Sequence, residues 1–390
     1  MTATLHVTGL RKQYPGSAAA ALAGLDLTVS SGSCVALLGP SGSGKTTALR
    51  LIAGLDAPDG GDVRVGGVSV LQLPPERRGM AMVSQRPLLF PHLTVLDNVA
   101  FAARMAGASR RAARSAASRY LELVQLGALA QRRPATLSGG QAQRVALARG
   151  LAAEPSVLLL DEPFSALDPS LRTDMHQLVM EVRAILEPTI LLVTHDQQEA
   201  TTLADSIAIV VEGRLLQHAG QQELFGSPAS LEVYRFLGGL NEIPGVLLGA
   251  GHRSALGVLS TPLAVGFHDG PAVLAIRQES VGVVAADDPD ADVVGVVARV
   301  SPRGPRTLLE VTTTAGPLFA ELPAGHGVGV GAVVGLVLPM AARLVVLESG
   351  ETRRERVAAA QVRDGPPSHE TEVLAGAELA SDHSSTSDRA

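Results

Sequence analysis

The stretch Cys34-Val-Ala-Leu-Leu-Gly39-Pro-Ser-Gly-Ser-Gly-Lys45-Thr46-Thr47 decides the fold. Five apolar residues read as a buried strand. They run into GxxxxGK[ST], and a helical pattern begins at Lys45. The glycines let the backbone curl until its N–H groups point at phosphate oxygens. The helix N-terminus adds partial positive charge at the same place. Lys45 puts a mobile ammonium on the β- and γ-phosphates, and the Thr46 hydroxyl supplies a ligand for Mg²⁺. The phosphate-binding set is therefore Gly39, Pro40, Ser41, Gly42, Ser43, Gly44, Lys45, Thr46 and Thr47.

A second strand, Val157–Leu160, ends in two carboxylates, Asp161 and Glu162. Beside a phosphate loop, the first is placed to hold Mg²⁺ and the second to orient or deprotonate an attacking water. Thr189–Thr194 reads as a third strand. Helices are expected from Lys45 and from Gln141, and another over Arg110–Val124. The alternation of strands and helices over residues 1–237 gives an α/β body with a mostly parallel sheet. An Ala- and Arg-rich helical subdomain is inserted at about 86–156. From 238 to 349 the texture changes to short Val-rich runs between Gly and Pro: Val273–Ile276, Val293–Val300, Leu308–Thr313 and Val333–Leu338. That reads as a small antiparallel barrel. Residues 350–390 turn polar, and a disordered tail is expected there.

The 390 residues carry a net charge of -6, and only two of the 32 basic side chains, Lys12 and Lys45, are lysine. No basic stripe of a nucleic-acid binder is present. One cysteine, Cys34, excludes an internal disulfide framework and fits a reducing compartment. The N-terminal residues lack the pattern of a secretory signal. A mean hydropathy of +0.24 raises the question of a membrane span. The longest uncharged run, Leu322–Ala342, is broken by glycines, His326 and Pro339, and reads as two short strands around a Gly turn. Lys12 reads as a solvated surface charge and Cys34 as a small core residue.

Between the two phosphate-site motifs lies Leu137-Ser138-Gly139-Gly140-Gln141. With the loop at Gly39 and the acids at Asp161, it resembles the signature of the ATP-binding cassette (ABC) family. Gln85 resembles that family's Q-loop glutamine, a ligand of metal and water. Ser165-Ala-Leu-Asp168 resembles the D-loop, and His195 the switch histidine that meets the γ-phosphate. Tyr14 is similar to the aromatic residue that stacks on adenine. The resemblance covers about residues 4–237. It implies ATP and Mg²⁺, with Lys45, Gln85, Glu162 and His195 as catalytic groups and Thr46, Gln85 and Asp161 around the metal. Ser138, Gly139, Gly140, Gln141 and Asp168 would close over a nucleotide held by another chain, so a homodimer with two ATPs between its subunits is implied.

The apolar segment Pro87–Val95, the run Leu160–Pro169 and Thr194–Ala200 resemble bacterial solute importers. Ala275-Ile-Arg-Gln-Glu279 resembles the IRPE segment of the appended OB-like (TOBE/MOP-like) domain, with Gln278 in place of proline. The resemblance implies two integral-membrane permease subunits as partners and, through them, a solute-binding protein. The chain would lie peripherally on the cytoplasmic face of the membrane. Ferric iron, polyamine, sulfate and molybdate are the solutes of such relatives. A soluble ATPase of the same family acting on nucleic acid or ribosomes is the alternative. It would usually carry two cassettes, a coiled-coil insertion or basic patches, and this sequence shows none of these.

Overall fold

The computed structural model describes residues 2–262 and 269–347. The expected polar tail at 350–390 lies outside the described residues. In chain order the first elements are β1 (Leu5–Lys12), β2 (Leu22–Val29), β3 (Cys34–Leu38), α1 (Lys45–Ala53), β4 (Gly60–Val65), β5 (Val68–Ser69) and β6 (Met80–Val83). Four helices follow: α2 (Val95–Val99), α3 (Phe101–Met105), α4 (Arg110–Leu123) and α5 (Gly139–Leu151). Then come β7 (Val157–Asp161), α6 (Pro169–Leu186), β8 (Ile190–Thr194), α7 (Gln197–Leu203), β9 (Ser206–Val211), β10 (Arg214–Ala219), α8 (Gln221–Gly226) and α9 (Leu231–Phe236).

Six strands form the central sheet, in the order β10-β9-β3-β8-β7-β6. All neighbours are parallel except β10, which returns against β9. Strands β3, β7 and β8 are buried at every residue, as a strand covered on both faces must be. The period of two divides β3 between two cores. Cys34, Ala36 and Leu38 face the core shared with α2, α4, α5 and α6; Val35 and Leu37 face the core shared with α1 and the β1–β2 hairpin. That hairpin belongs to a four-stranded antiparallel sheet, β2-β1-β4-β5.

The topology gathers the sequence motifs. The chain leaves β3, reaches the far edge at β6, and works back through β7 and β8 to β3. The carboxyl ends of β3, β6, β7 and β8 deliver Gly39, Gln85, Asp161–Glu162 and His195 to one edge of the sheet. Ligands of open α/β sheets bind beyond the carboxyl ends of strands, where the order reverses.

Beyond α9 the chain is all β: β11 (Asn241–Leu248), β12 (Gly251–Ser254), β13 (Gly257–Ser260), β14 (Gly270–Ile276), β15 (Gly282–Ala285), β16 (Val293–Arg303), β17 (Arg306–Thr313), β18 (Gly316–Pro323), β19 (Val333–Val337) and β20 (Leu344–Leu347). These make two five-stranded antiparallel sheets, β13-β12-β11-β14-β20 and β15-β19-β16-β17-β18. One core serves both: Ile243 and Leu274 of the first pack with Leu309, Leu318 and Leu336 of the second. The fully buried Asn241 side chain joins β11 to β18, accepting from Phe319 N (2.6 Å) and donating to Phe319 O (2.8 Å). Satisfying both ends of a buried amide fixes how the two sheets meet. Tyr234 of α9 ties this region to the α/β region, with its hydroxyl 3.0 Å from Asn241 O and 2.8 Å from Ile276 O.

The uncharged run Leu322–Ala342 holds the end of β18 and the whole of β19, joined by a Gly-rich connection. The two strands do not pair with each other: β18 lies against β17, while β19 sits between β15 and β16. No described helix is long and apolar enough to cross a membrane.

Candidate active site

Helix α1 opens on Gly44, whose φ of +97° only glycine adopts at little cost. A Cβ there would also lie 2.2 Å from Ala21 O, and one on Gly39 would lie 2.0 Å from Val210 O. The loop is thus clamped by the chain behind it. Lys45 is buried and points back into the loop, donating to Gly39 O (2.9 Å), Pro40 O (2.8 Å) and Ser43 Oγ (3.4 Å). Burial pulls its pKa below the ordinary lysine value, against the opposing pull of Glu162 and Asp161.

Asp161 closes β7, and its Oδ1 accepts a 3.1 Å hydrogen bond from Thr46 Oγ1. Burial raises its carboxyl above the usual range, and the Thr46 bond opposes that rise. Glu162 turns out of the strand at φ +43°, held by its N–H on Val193 O at 2.9 Å. Its Oε2 lies 3.2 Å from Nδ1 of His195, at the end of β8. Gln85 donates to Ser165 Oγ at 2.9 Å, and Ser165 Oγ donates to Glu162 O at 2.9 Å. Lys45, Thr46, Gln85, Asp161, Glu162, Ser165 and His195 therefore form one connected constellation.

The donor set fits Mg²⁺. A hydroxyl and a carboxylate oxygen meet at 3.1 Å, and Mg²⁺ takes few protein ligands and fills the rest with water and phosphate. No cluster of three or more His, Cys, Asp or Glu side chains that would cage a metal occurs among the described residues.

Asp168, Tyr14 and the loop Ser138–Gln141 stand apart from it. Asp168 is the N-cap of α6, its Oδ1 accepting from Leu171 N at 3.0 Å. Tyr14 lies in the β1–β2 connection, with its hydroxyl on Asp56 Oδ2 (3.1 Å) and the Lys12 ammonium 5.5 Å from its ring centroid. Lys12 differs from its sequence reading. Its side chain is 16% exposed, and it donates to Ala57 O (2.7 Å) and Asp59 Oδ1 (3.2 Å). A loop carbonyl 45 residues away and the aromatic face of nearby Tyr14 hold it down.

Ser138–Gln141 opens α5 two residues earlier than its hydrophobic pattern suggests, because the helix starts with a capping box. Ser138 Oγ accepts from Gln141 N, and Gln141 Oε1 accepts from Ser138 N. A Cβ on Gly139 would meet nothing within 4 Å, and one on Gly140 would make only an ordinary 3.4 Å contact with Leu171. Neither glycine has a positive φ. Nothing among the described residues requires glycine at either position.

Two contacts had no signal in the motifs. Gln143 of α5 donates to Ser84 O (3.3 Å), the residue before Gln85. Arg149 donates to Pro87 O (3.1 Å) and Leu88 O (2.9 Å), with its guanidinium 5.6 Å from the Phe90 ring centroid. Together they anchor α5 to the chain on both sides of Gln85.

A phosphate loop at the end of a central parallel strand, with carboxylates at the end of β7, one strand beyond β8, defines a P-loop nucleotide-binding fold. The chain matches the model of the ABC transporter family over residues 22–165. It is 42% identical over 308 residues to the Fe(3+) ions import ATP-binding protein FbpC of Brucella abortus (strain 2308), covering 78% of this chain and 87% of that relative. It is 45% identical over 262 residues to the sulfate/thiosulfate import ATP-binding protein CysA of Xylella fastidiosa (strain Temecula1), covering 66% of this chain and 75% of that one. A solved dimer of the ATP-binding cassette MJ0796, bound to ADP and Pi, is similar at a TM-score of 0.51 and 31% identity, over 55% of this chain and 98% of the solved chain. The chain belongs to the ABC transporter family, as an ATP-binding subunit of its import systems.

Proposed function

We propose that this subunit hydrolyses MgATP in a dimer and thereby drives import of an inorganic ion, ferric iron, through separate membrane subunits. The observation that carries the catalytic part is the Lys45–Thr46–Asp161–Glu162–His195 constellation at the edge of one sheet, with Thr46 on Asp161 at 3.1 Å and Glu162 on His195 at 3.2 Å. Lys45 exchanges its loop carbonyls for the β- and γ-phosphates. Glu162 takes the proton of the attacking water, and His195 beside it holds the γ-phosphate. Gln85 and Ser165 keep the water side of the site in register. Thr46, Asp161 and Gln85 would hold Mg²⁺, which neutralises charge on the phosphates when bound. Tyr14 stacks on the adenine.

The loop Ser138–Gln141 and Asp168 serve the nucleotide of the other subunit. The solved dimeric cassette and the open surface at Gly139 support that reading. Residues 1–237 form the ATPase domain, 238–349 the TOBE-like domain, and the segment after Gln85 receives the permease. The relatives named for Fe(3+) import, such as that of Rhizobium meliloti (strain 1021) at 41% identity, favour ferric iron over sulfate. Purified protein should hydrolyse MgATP, and Lys45→Ala should abolish turnover. A strain lacking the subunit should lose uptake of radiolabelled ferric iron and keep that of sulfate. Unchanged iron uptake would refute the solute assignment.

A further inference from the structure

Five buried side-chain polar atoms among the described residues have no hydrogen-bond partner. Three of them belong to Arg172 (Nε), His176 (Nε2) and Glu199 (Oε1), which gather between α6 and α7, behind the constellation described above. A buried polar atom left without a partner is costly and calls for a reason.

Arg172 stands at the centre. Its Nη2 donates to Leu167 O at 3.3 Å, in the loop that ends at Asp168. Its Nη1 pairs with Asp196 Oδ2 at 3.2 Å, directly after His195. Its backbone N–H also bonds Asp168 O at 2.9 Å. On the other side, Asp196 caps α7 through Gln198 N (2.8 Å) and Glu199 N (3.1 Å), and its own N–H donates to Thr194 Oγ1 at 3.0 Å. Thr194 Oγ1 in turn donates to Glu199 Oε2. One turn along α6, His176 sets its ring edge on Phe164, with centroids 5.2 Å apart, in the same loop as Leu167. A single guanidinium therefore joins the loop 162–168 to the loop 194–196.

We propose that Arg172 is a positioning residue of the ATPase cycle, which fixes the loop carrying Asp168 and the loop carrying His195 in one register. A planar fork reaches two acceptors held at different angles, and a lysine ammonium on a flexible stem does not reproduce both. Arg172 touches no reacting atom on this account and acts through Asp196 and Leu167. With Nε, His176 Nε2 and Glu199 Oε1 unpaired, the bonds from Nη1 and Nη2 carry the connection between the two loops. The inference rests on the reading of Asp168 and His195 as groups that face nucleotide.

The test uses steady-state MgATP hydrolysis by the full chain, with kcat, KM and melting temperature recorded for each variant. Arg172→Ala should lower kcat roughly ten- to hundredfold, as misplacement of a reacting group by a remote change does. KM for ATP and the melting temperature should stay close to wild type. Arg172→Lys keeps the charge and the Asp196 pair, and should recover only part of the rate. Asp196→Asn, which weakens the same bridge from its other end, should also lower kcat without raising KM. A wild-type kcat in Arg172→Lys and Arg172→Ala overturns the proposal, as does a rate loss that matches a loss of folded protein. His195→Ala is the reference. If it turns over like wild type, the underlying reading fails, and that is distinguishable from failure at Arg172.

Discussion

The loops Gly39–Thr46 and Leu137–Gln141 are both rich in glycine and serine, and both end on a helix N-terminus. Their glycines answer to different demands. Gly39 and Gly44 are dictated from within: backbone oxygens lie 2.0 Å and 2.2 Å from where their Cβ atoms would be, and Gly44 sits at φ +97°. Gly139 has ordinary backbone angles and open space at its Cβ position. The first loop would be lost by substitution whether or not a nucleotide binds. The second has no internal reason to carry glycine, which points to an approach from outside the chain. The contrast extends to the side chains. Lys45 is satisfied by its own loop, whereas Ser138 and Gln141 satisfy each other.

The contrast breaks first at Gly44. Gly44→Ala should remove nucleotide binding and cost about 3–4 kcal/mol in a denaturant unfolding curve, since strain and overlap add. A stable variant that binds ATP would end the claim that this loop is built from within. Gly139→Ala should do the reverse: its stability should match wild type or exceed it slightly, while ATP turnover falls about a hundredfold because a close approach is spoiled. Turnover at the wild-type rate would show that nothing approaches Gly139.

Stability against pH separates the two halves further. Burial, the largest influence, pushes Glu199 from an ordinary value of 4.5 up to about 7. Asp196 adds to the rise, while the Thr194 hydroxyl, Arg172 and His195 oppose it; on the β3 side lies Cys34, whose thiol burial pushes up to about 12. The folded chain thus holds a proton that the unfolded chain has lost, so this contribution is fully present below about pH 4.5 and is lost as pH rises through about 7. Wild type should lose roughly 2–3 kcal/mol across that window, and Glu199→Gln should flatten the profile. An unchanged slope in Glu199→Gln would place the titration elsewhere. The smallest effect belongs to the capping box. Ser138→Ala should cost about 1 kcal/mol, with no dependence on pH over the same range. A pH-dependent loss there would mean that Ser138 has a charged partner.

The parts legible in the sequence are those whose cause is local. The strand Cys34–Leu38, the loop after it and the start of α1 are written in consecutive residues. So are the two carboxylates at the end of β7. Gln85 and Ser165 are 80 residues apart; resemblance to a family singles out each of them, but their meeting is a finding of the structure. The all-β character of the C-terminal region was legible from its Val-rich runs. Its division into two sheets was not, because β14 pairs with β11 and with the distant β20, a matter of register between remote segments. Arg172 lies in a helical stretch that reads as ordinary, Glu199 carries no role in the run Thr194–Ala200, and Lys12 reads as free because Ala57 and Asp59 reach it from a remote segment. Buried polar contacts between separate elements leave no period and no motif.

The most direct measurement is sedimentation of Glu162→Gln with saturating MgATP, alone and combined with Gly139→Asp. Glu162→Gln should run as a dimer with two ATPs. The double variant should remain a monomer and bind one ATP as tightly as the Glu162→Gln chain does when too dilute to dimerise, because Gly139 serves the nucleotide of the other subunit. Weakened ATP binding by the monomeric double variant, or a Glu162→Gln chain that stays monomeric when saturated, would contradict the account.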